Sequence, residues 1–299
     1  MKVAVTGGTG FLGRYLLDRL TGDGHEVRAW FRPGKSHRPK HDKKGVEWVE
    51  GELGDPAAVS RLVDGCDSLV HAALWRPGSG FRGSEGDVAK FTEKNVVGSL
   101  QIFQEAAEAR VRRVVYVSSC AVHETILPDR TLDETHPLYA KSHYGAHKAA
   151  VEAFVHSFAA AGLSICAVRP TGIYGIADPP SESKWYDLIH SVAAGQEVKV
   201  TGGGKEVHVV DVAAAIALLL TAEGVDGECY ACYDRYISEH EVASLAKELS
   251  GSNAKVTGEQ PSPKHEIDTS KIRSLGMTFS GDQLLRETIS GLVASARSK

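Results

Sequence analysis

The stretch that most constrains this chain is Thr6-Gly7-Gly8-Thr9-Gly10-Phe11-Leu12-Gly13. It lies between a short apolar run, Lys2 to Val5, and a helical stripe of apolar residues at 11, 12, 15, 16, 17 and 20. Glycine weakens the interior of a strand or a helix, so Gly7, Gly10 and Gly13 at a spacing of three, with Gly8 beside them, need a reason. A strand-to-helix junction supplies one. There, glycine allows a tight turn, a close backbone approach to a pyrophosphate, and tight packing of the helix on the sheet. The helix N-terminus then offers free N–H groups and the positive end of its dipole. At this junction the pattern predicts dinucleotide binding; elsewhere the same glycines would mark a surface turn.

The rest of the chain supports that context. KVAVTG, EVRAWF, GVEWVEG, DSLVHAA, RRVVYVSS and LSICAVRP read as six short strands. Helical segments separate them: Asp55-Pro56 supplies an N-cap and a first-turn proline. DVAKFTEKNVVGSLQIFQEAAEAR and YGAHKAAVEAFVHSFAAAG read as long helices. Such alternation predicts an α/β fold, a Rossmann-type doubly wound parallel sheet with helices on both faces. After Pro170 it degrades into loops and small helices. The expected organisation is a dinucleotide-binding domain over 1–170, joined by a returning segment at about 207–236. Segments 171–206 and 237–299 would form a smaller C-terminal substrate-binding cap.

Charge and cysteine usage narrow the partners. The 299 residues carry a formal net charge of −4, and the one basic stretch, Phe31 to Lys44, is short. A nucleic-acid or membrane-surface role has little electrostatic support. No apolar run approaches the roughly 20 residues of a membrane span, and the N-terminus enters a strand directly, so a cytoplasmic protein is expected. The five cysteines are odd in number and scattered, as for reduced thiols. Cys229 and Cys232 form a CxxC without a second ligand pair, so no metal is expected.

Several ordered motifs carry a resemblance. TGGTGFLG has the TGxxGxxG spacing, GELGD is similar to GDLxD, HAA to a strand-four ending, and NVVGS to NVxGT. VSSCAVHE resembles SSxxVYG, YGAHK is a YxxxK motif, and RPTGIYG matches RPxxxYG, while HVVDVA and IDTSKIRSLG resemble closing blocks. Together they resemble the extended short-chain dehydrogenase/reductases, the NAD(P)-dependent epimerase/dehydratase family.

The resemblance implies catalytic roles for Ser119, Tyr144 and Lys148. Tyr144 and Lys148 are four apart on a predicted helix and share a face. An ammonium beside a phenol stabilises the phenolate, lowering its pKa from about 10. Tyr144 could then exchange a proton with a substrate oxygen during hydride transfer, with Ser119 hydrogen-bonding that oxygen. The implied cofactor contacts are Gly7, Gly10, Phe11, Leu12, Gly13, Arg32, Glu52, Leu53, Ala72, Ala73, Asn95, Tyr144, Lys148, Pro170 and Thr171. NAD enzymes usually place an acid after the second strand. Here Phe31 and Arg32 stand there, followed by Lys35 and Arg38. Arginine suits a 2′-phosphate, so NADP is favoured over NAD.

Departures bear on the substrate. His123 and Glu124 replace Tyr-Gly in SSxxVYG, altering the expected substrate-side wall, and Cys120-Ala121 lacks the acid pair used in dehydration. Cys120, His123, Lys184 and His208 are the substrate-side candidates. An arginine that commonly precedes the HVVDVA-like block is absent; Lys205 is the nearest cation, and Lys264 or Arg273 could substitute for it. The implied activity is hydride transfer at a secondary alcohol or ketone, foremost of a sugar or nucleotide sugar, by epimerisation or net oxidoreduction. One alternative is an NADPH-dependent reductase of a non-sugar ketone or aldehyde; another is a non-catalytic dinucleotide-sensing module. The two long helices carry apolar and small residues on more than one face, and because such helices often pair across a twofold axis in the family resembled, the resemblance implies a homodimer.

Overall fold

The apolar run after Met1 becomes the first strand of a parallel sheet in a computed structural model, which describes residues 1–32, 44–77, 83 and 85–297. Lys35 and Arg38 lie outside the described residues. Elements are numbered along the chain, which divides into two compact units. Unit 1 comprises Met1–Pro170, Ala213–Cys232 and Asp268–Met277.

Seven strands form the sheet of unit 1: β1 (Lys2–Thr6), β2 (Glu26–Phe31), β3 (Val46–Glu50), β4 (Ser68–His71), β5 (Arg113–Val117), β6 (Ile165–Pro170) and β10 (Cys229–Cys232). Their order is β10-β6-β5-β4-β1-β2-β3, and each neighbouring pair is parallel. The CxxC cysteines are thus residues of the seventh strand, and all five cysteines are free thiols. The sheet matches the expected doubly wound architecture.

Alternation along each strand decides which helix it meets. Ala4, Leu69, Val114, Tyr116 and Ala167 share one core with α2 (Pro56–Val63), α4 (Gly98–Glu108) and α5 (His143–Ala160). The residues between them, Val3, Val5, Val70, Val115 and Val168, are equally buried, so both faces are covered. Unit 1 also holds α1 (Phe11–Gly22), α3 (Val88–Thr92) and α9 (Ser270–Ser274); the unit boundary falls inside α7 (Val209–Leu219). Helix α9 comes from the stretch the sequence assigned to the cap. It packs on β10, where Lys271 donates to Glu228 and to the Cys229 carbonyl, at 2.6 and 2.9 Å.

The long helix expected over 87–110 is not continuous. A single π turn, Glu93–Val97, interrupts it between α3 and α4. There the Ser99 hydroxyl bonds the Asn95 carbonyl at 2.5 Å and the Asn95 amide bonds the Phe91 carbonyl at 2.9 Å. Two side chains thus each reach a carbonyl four residues back, and π turns concentrate at functional sites.

Unit 2 comprises Thr171–Val212, Tyr233–Ile267 and Thr278–Lys299. It contains β7 (Gly172–Tyr174), α6 (Tyr186–Ala193), β8 (Val198–Val200), β9 (Gly203–His208), β11 (Arg235–Ser238), α8 (Glu239–Ser250), β12 (Val256–Gly258) and α10 (Asp282–Arg297). Strands β11-β9-β7 form one sheet and β12-β8 another. The core brings together Tyr174, Ile189, Ile237, Val242, Leu285 and Ile289 from β7, α6, β11, α8 and α10.

Candidate active site

Because the strands of unit 1 are parallel, the loops after β1, β4 and β5 leave the sheet at one edge, where doubly wound folds bind ligands. The first loop is shaped by glycine. Gly7 has φ +77°, and a Cβ there would lie 2.8 Å from the Ala72 carbonyl. A Cβ on Gly13 would strike the Gly7 oxygen and lie 2.7 Å from the Gly8 carbonyl. Gly10 donates to the Gly7 oxygen at 3.0 Å and stands at the N-cap of α1, which has neither a side-chain cap nor an acid in its first turn. Phe11 and Leu12 follow, half-buried. Bare backbone and uncapped N–H groups fit a dinucleotide diphosphate.

The flanks of this cradle differ in how firmly they are held. The Ala72 and Ala73 N–H groups donate to Thr6 Oγ1, both at 3.1 Å. Asn95 is buried, with its side chain bonded to the backbone of Trp75 and Phe91. Leu53 is buried, and Glu52 faces Lys94, 3.7 Å away, which also donates to the Leu53 carbonyl. Arg32 is exposed just after β2. No sequence motif marked Arg76, beyond β4. Burial holds its guanidinium below the usual range, and it lies close enough to feel Tyr144 and Arg32.

The loop after β5 carries the second group. Ser119, in extended conformation, caps a short 3-10 turn, Cys120–His123, by accepting from the Ala121 N–H at 3.1 Å. Helix α5 approaches this turn so closely that a Cβ on Gly145 would lie 2.5 Å from the Ala121 oxygen. That close approach brings the first turn of α5, which holds Tyr144, beside the turn after Ser119. Glu124 fixes the start of the helix by accepting from the Lys141 and Ser142 N–H groups, both at 2.6 Å, and from the Ser142 hydroxyl at 2.9 Å. Ser142 then caps α5 through the Gly145 N–H at 3.0 Å. Glu124, read from sequence as part of a substrate-side wall, clamps a helix.

Lys148 follows Tyr144 by one turn and is buried. Its ammonium donates to the Val117 carbonyl at 2.7 Å and sits 4.7 Å from the centre of the Tyr116 ring. Burial pushes Lys148 down to about 7, opposed by the Glu152 carboxylate. Next to it, burial and then Lys148 hold His147 at about 2, so its ring is neutral, edge-on to Tyr144 at 5.2 Å. The Ser118 hydroxyl is buried without a partner among the described residues.

Two substrate-side candidates face the interior of unit 1. The Cys120 thiol donates to the Arg169 carbonyl at 3.0 Å, and burial pushes it up to about 12. A thiol held there is a poor acid or base near neutral pH. His123 is 9 % exposed and has both ring nitrogens engaged. Nε2 takes a hydrogen bond from Arg169 at 3.2 Å, so Nδ1 carries the proton toward the Pro137 carbonyl, 3.3 Å away. Arg169 in turn grips Glu152 with three contacts of 2.7 to 3.1 Å, the pair almost fully buried.

In unit 2, the Lys184 ammonium pairs with Glu206 and lies 5.1 Å from the Trp185 ring centre. Glu206 is buried over Gly172 and Gly204, and a Cβ on either glycine would strike its carboxylate. His208 is buried, with Nδ1 accepting from the Val210 N–H at 3.2 Å and Nε2 3.1 Å from the Thr288 hydroxyl; burial holds it at about 4. Pro170 is the last residue of β6, and the Thr171 hydroxyl is buried without a partner among the described residues. A cavity of about 420 Å³ in unit 2 is lined by Tyr233, Asp234, Arg235, Tyr236, Glu241 and Glu266, among others. Its one guanidinium is already held by Glu241, 2.5 Å, and Asp282, 2.8 Å. Among the described residues there is no cluster of metal-ligating side chains, and no helix long and apolar enough to cross a membrane.

Comparison with known proteins places this geometry. A 4-hydroxy-2-methyl-3-oxo-4-farnesyl-3,4-dihydroquinoline-1-oxide ketoreductase of Stigmatella aurantiaca is 31% identical over 236 residues, 77% of this chain and 67% of its own length. A 2-alkyl-3-oxoalkanoate reductase of Stenotrophomonas maltophilia is 33% identical over 182 residues, 60% of this chain; the match spans about half, 52%, of that relative. UDP-glucose 4-epimerase of Thermotoga maritima, solved with UDP-glucose, shares the fold at a TM-score of 0.81 and 23% identity, covering 100% of this chain and 99% of that one. The family model described as the NAD dependent epimerase/dehydratase family matches residues 3–232. The chain belongs to the NAD dependent epimerase/dehydratase family.

Proposed function

We propose that the protein is an NADP(H)-dependent oxidoreductase that interconverts a ketone and a secondary alcohol on a substrate without a nucleoside diphosphate. The observation that carries the reading is the buried Lys148, anchored to Val117 one turn after Tyr144, on a helix that Gly145 lets close against the turn after Ser119. When bound, the nicotinamide dinucleotide supplies or accepts the hydride. The chain's residues handle the proton. In reduction the Tyr144 phenol gives its proton to the carbonyl oxygen, which becomes the hydroxyl. The Lys148 ammonium stabilises the phenolate that remains. Ser119 accepts from the Ala121 N–H and so keeps its own hydrogen for the same oxygen.

Of the two substrate expectations, sugar nucleotide and non-sugar ketone, two observations favour the second. Two of the relatives are, by name, a ketoreductase of a farnesylated dihydroquinoline-1-oxide and a 2-alkyl-3-oxoalkanoate reductase. In unit 2, the Glu206 carboxylate fills the space over Gly204, and Arg235 is already engaged by acids. Neither Lys184, paired with Glu206, nor Arg235 is then a free cation for a diphosphate. The test is NADPH oxidation by the purified protein with a panel of 3-oxo esters and cyclic ketones, run beside UDP-glucose epimerisation. Turnover of a ketone but not of the sugar nucleotide is expected; the reverse overturns the substrate assignment.

The preference for NADP rests on Arg32, exposed where β2 ends with no acid in its place. A guanidinium on a 2′-phosphate makes charge-assisted hydrogen bonds. Arg32→Ala should weaken NADPH binding about tenfold or more and leave NADH within about twofold. An unchanged ratio in fluorescence titrations would return the preference to NAD. The same reading includes a cytoplasmic homodimer formed through the faces of α4 and α5 beside Val97 and Phe154, both exposed. A single sedimenting species of twice the chain mass at micromolar concentration is expected, and a monomer would refute it.

A further inference from the structure

On a helix, the residues three and four places further on lean toward the N-terminus and cover the turn before them. From Tyr144 these are His147 and Lys148, both on the buried face of α5. The proton chemistry proposed above uses Lys148 and gives His147 no part. Yet His147 is only 4 % exposed, and its Nδ1 has no hydrogen-bond partner among the described residues. A buried polar atom left unpaired costs stability that an apolar ring in the same place would not. Burial, and then the Lys148 charge, keep the imidazole neutral. It therefore adds no second charge beside the ammonium.

The imidazole stands between two other rings. Its centre is 5.2 Å from that of Tyr144, with the planes at 62°, and 5.0 Å from that of Phe91 on α3, with the planes at 89°. Both contacts are edge-to-face, a geometry in which aromatic rings attract. Phe91 is 2 % exposed, so the imidazole has a packed surface behind it. Rings from two helices thus form a row, Phe91–His147–Tyr144, that ends on the phenol. Lys148 is held separately, by the Val117 carbonyl at 2.7 Å. Tyr144 is half-buried in the first turn of α5. Its ring can swing about two side-chain torsions, and the row closes the His147 side of that swing. A reacting group displaced by about an ångström can cost about a hundredfold in rate.

We propose that His147, backed by Phe91, is a positioning residue that confines the Tyr144 phenol to the place where the Lys148 ammonium acts on it. The proposal rests on Tyr144 being the proton donor. A wild-type protein that reduces no ketone, or a Tyr144→Phe variant at wild-type rate, overturns that reading and this inference with it. Given both of those results as expected, His147→Ala and His147→Phe test the inference alone, on the full chain and well below each variant's melting temperature. His147→Ala should lower kcat for ketone reduction about ten- to a hundredfold. Its dissociation constant for NADPH should stay within about twofold of wild type. In the reverse reaction, alcohol oxidation, Tyr144 must be a phenolate. A phenol free to move away from the ammonium titrates nearer its ordinary value of about 10. The acid limb of the oxidation profile should therefore move toward alkali, by about half a pH unit or more, in His147→Ala. His147→Phe, which restores a ring, should return kcat to within about threefold of wild type. Where His147→Ala does not fold, Phe91→Leu, which removes the ring behind the imidazole, decides by the same rate and profile. A folded His147→Ala with wild-type kcat and an unmoved profile, whatever its melting temperature, overturns the proposal. A His147→Phe as slow as His147→Ala also overturns it, because the effect would then belong to a ring nitrogen.

Discussion

Tyr144→Phe should lower kcat for ketone reduction by about a hundred- to ten-thousandfold, the span expected when a general acid is removed, while the dissociation constant for NADPH stays within about twofold. The substitution deletes one oxygen. The phenylalanine ring keeps the edge contact with His147, 5.2 Å between centres, and leaves the Lys148 bond to Val117 undisturbed. Binding should survive because the cradle, its helix N-terminus and Arg32 are elsewhere in unit 1. The rate should not, because the carbonyl oxygen then has Ser119 for a hydrogen bond but no group to hand it a proton. Stopped-flow kinetics at saturating NADPH, with titration of the same sample, separates the two quantities. A variant retaining rate within about tenfold would remove Tyr144 from the proton path. A wild-type protein that binds nucleotide yet turns over no carbonyl compound would favour the dinucleotide-sensing reading.

What was legible in the sequence is what depends on neighbours along the chain. The cradle could be read because a strand, a glycine turn and a helix N-terminus are consecutive, and a backbone-only site needs no distant side chain. The placement of Tyr144 and Lys148 one turn apart on α5 could be read because four residues is one helical turn. His123 and His208 were read as substrate-side residues and lie buried with their ring nitrogens engaged. Their partners, Arg169 and Thr288, are 46 and 80 residues away, so nothing local shows which way the rings point. Glu124 misled for the same reason: its partners, Lys141 and Ser142, stand across a loop. The π turn was invisible because a helical apolar stripe continues through it. Its only sign was the pairing of Asn95 with Ser99, four apart, which is also ordinary in a regular helix.

Glu152→Ala should destabilise unit 1 by about 3–5 kcal/mol, the cost of stranding one partner of a buried ion pair. Glu152 is fully buried, one turn beyond Lys148 on α5, and Arg169 is 3 % exposed on β6, so neither charge has water to fall back on. Arg169 also donates to His123 and to the Glu134 carbonyl. Its guanidinium therefore stays in place when Glu152 goes, and its charge is left uncompensated. Urea denaturation measures the loss. The double variant Glu152→Leu with Arg169→Met should recover most of it, because replacing both charges by apolar groups removes the desolvation penalty along with the attraction.

A second reading comes from Lys148. The Glu152 carboxylate is the group that opposes burial there, so removing it, and leaving the Arg169 charge unbalanced nearby, should lower the Lys148 value below about 7. A lysine with a depressed value loses its charge earlier as pH rises, so phenolate stabilisation by the ammonium should end at a lower pH than in wild type. The high-pH fall in kcat should therefore move toward acid in a Glu152→Gln variant assayed under conditions where it is fully folded. A stability change under about 1 kcal/mol would mean that water or relaxation compensates the buried pair. An unmoved pH profile would confine Glu152 to holding β6 and α5 together.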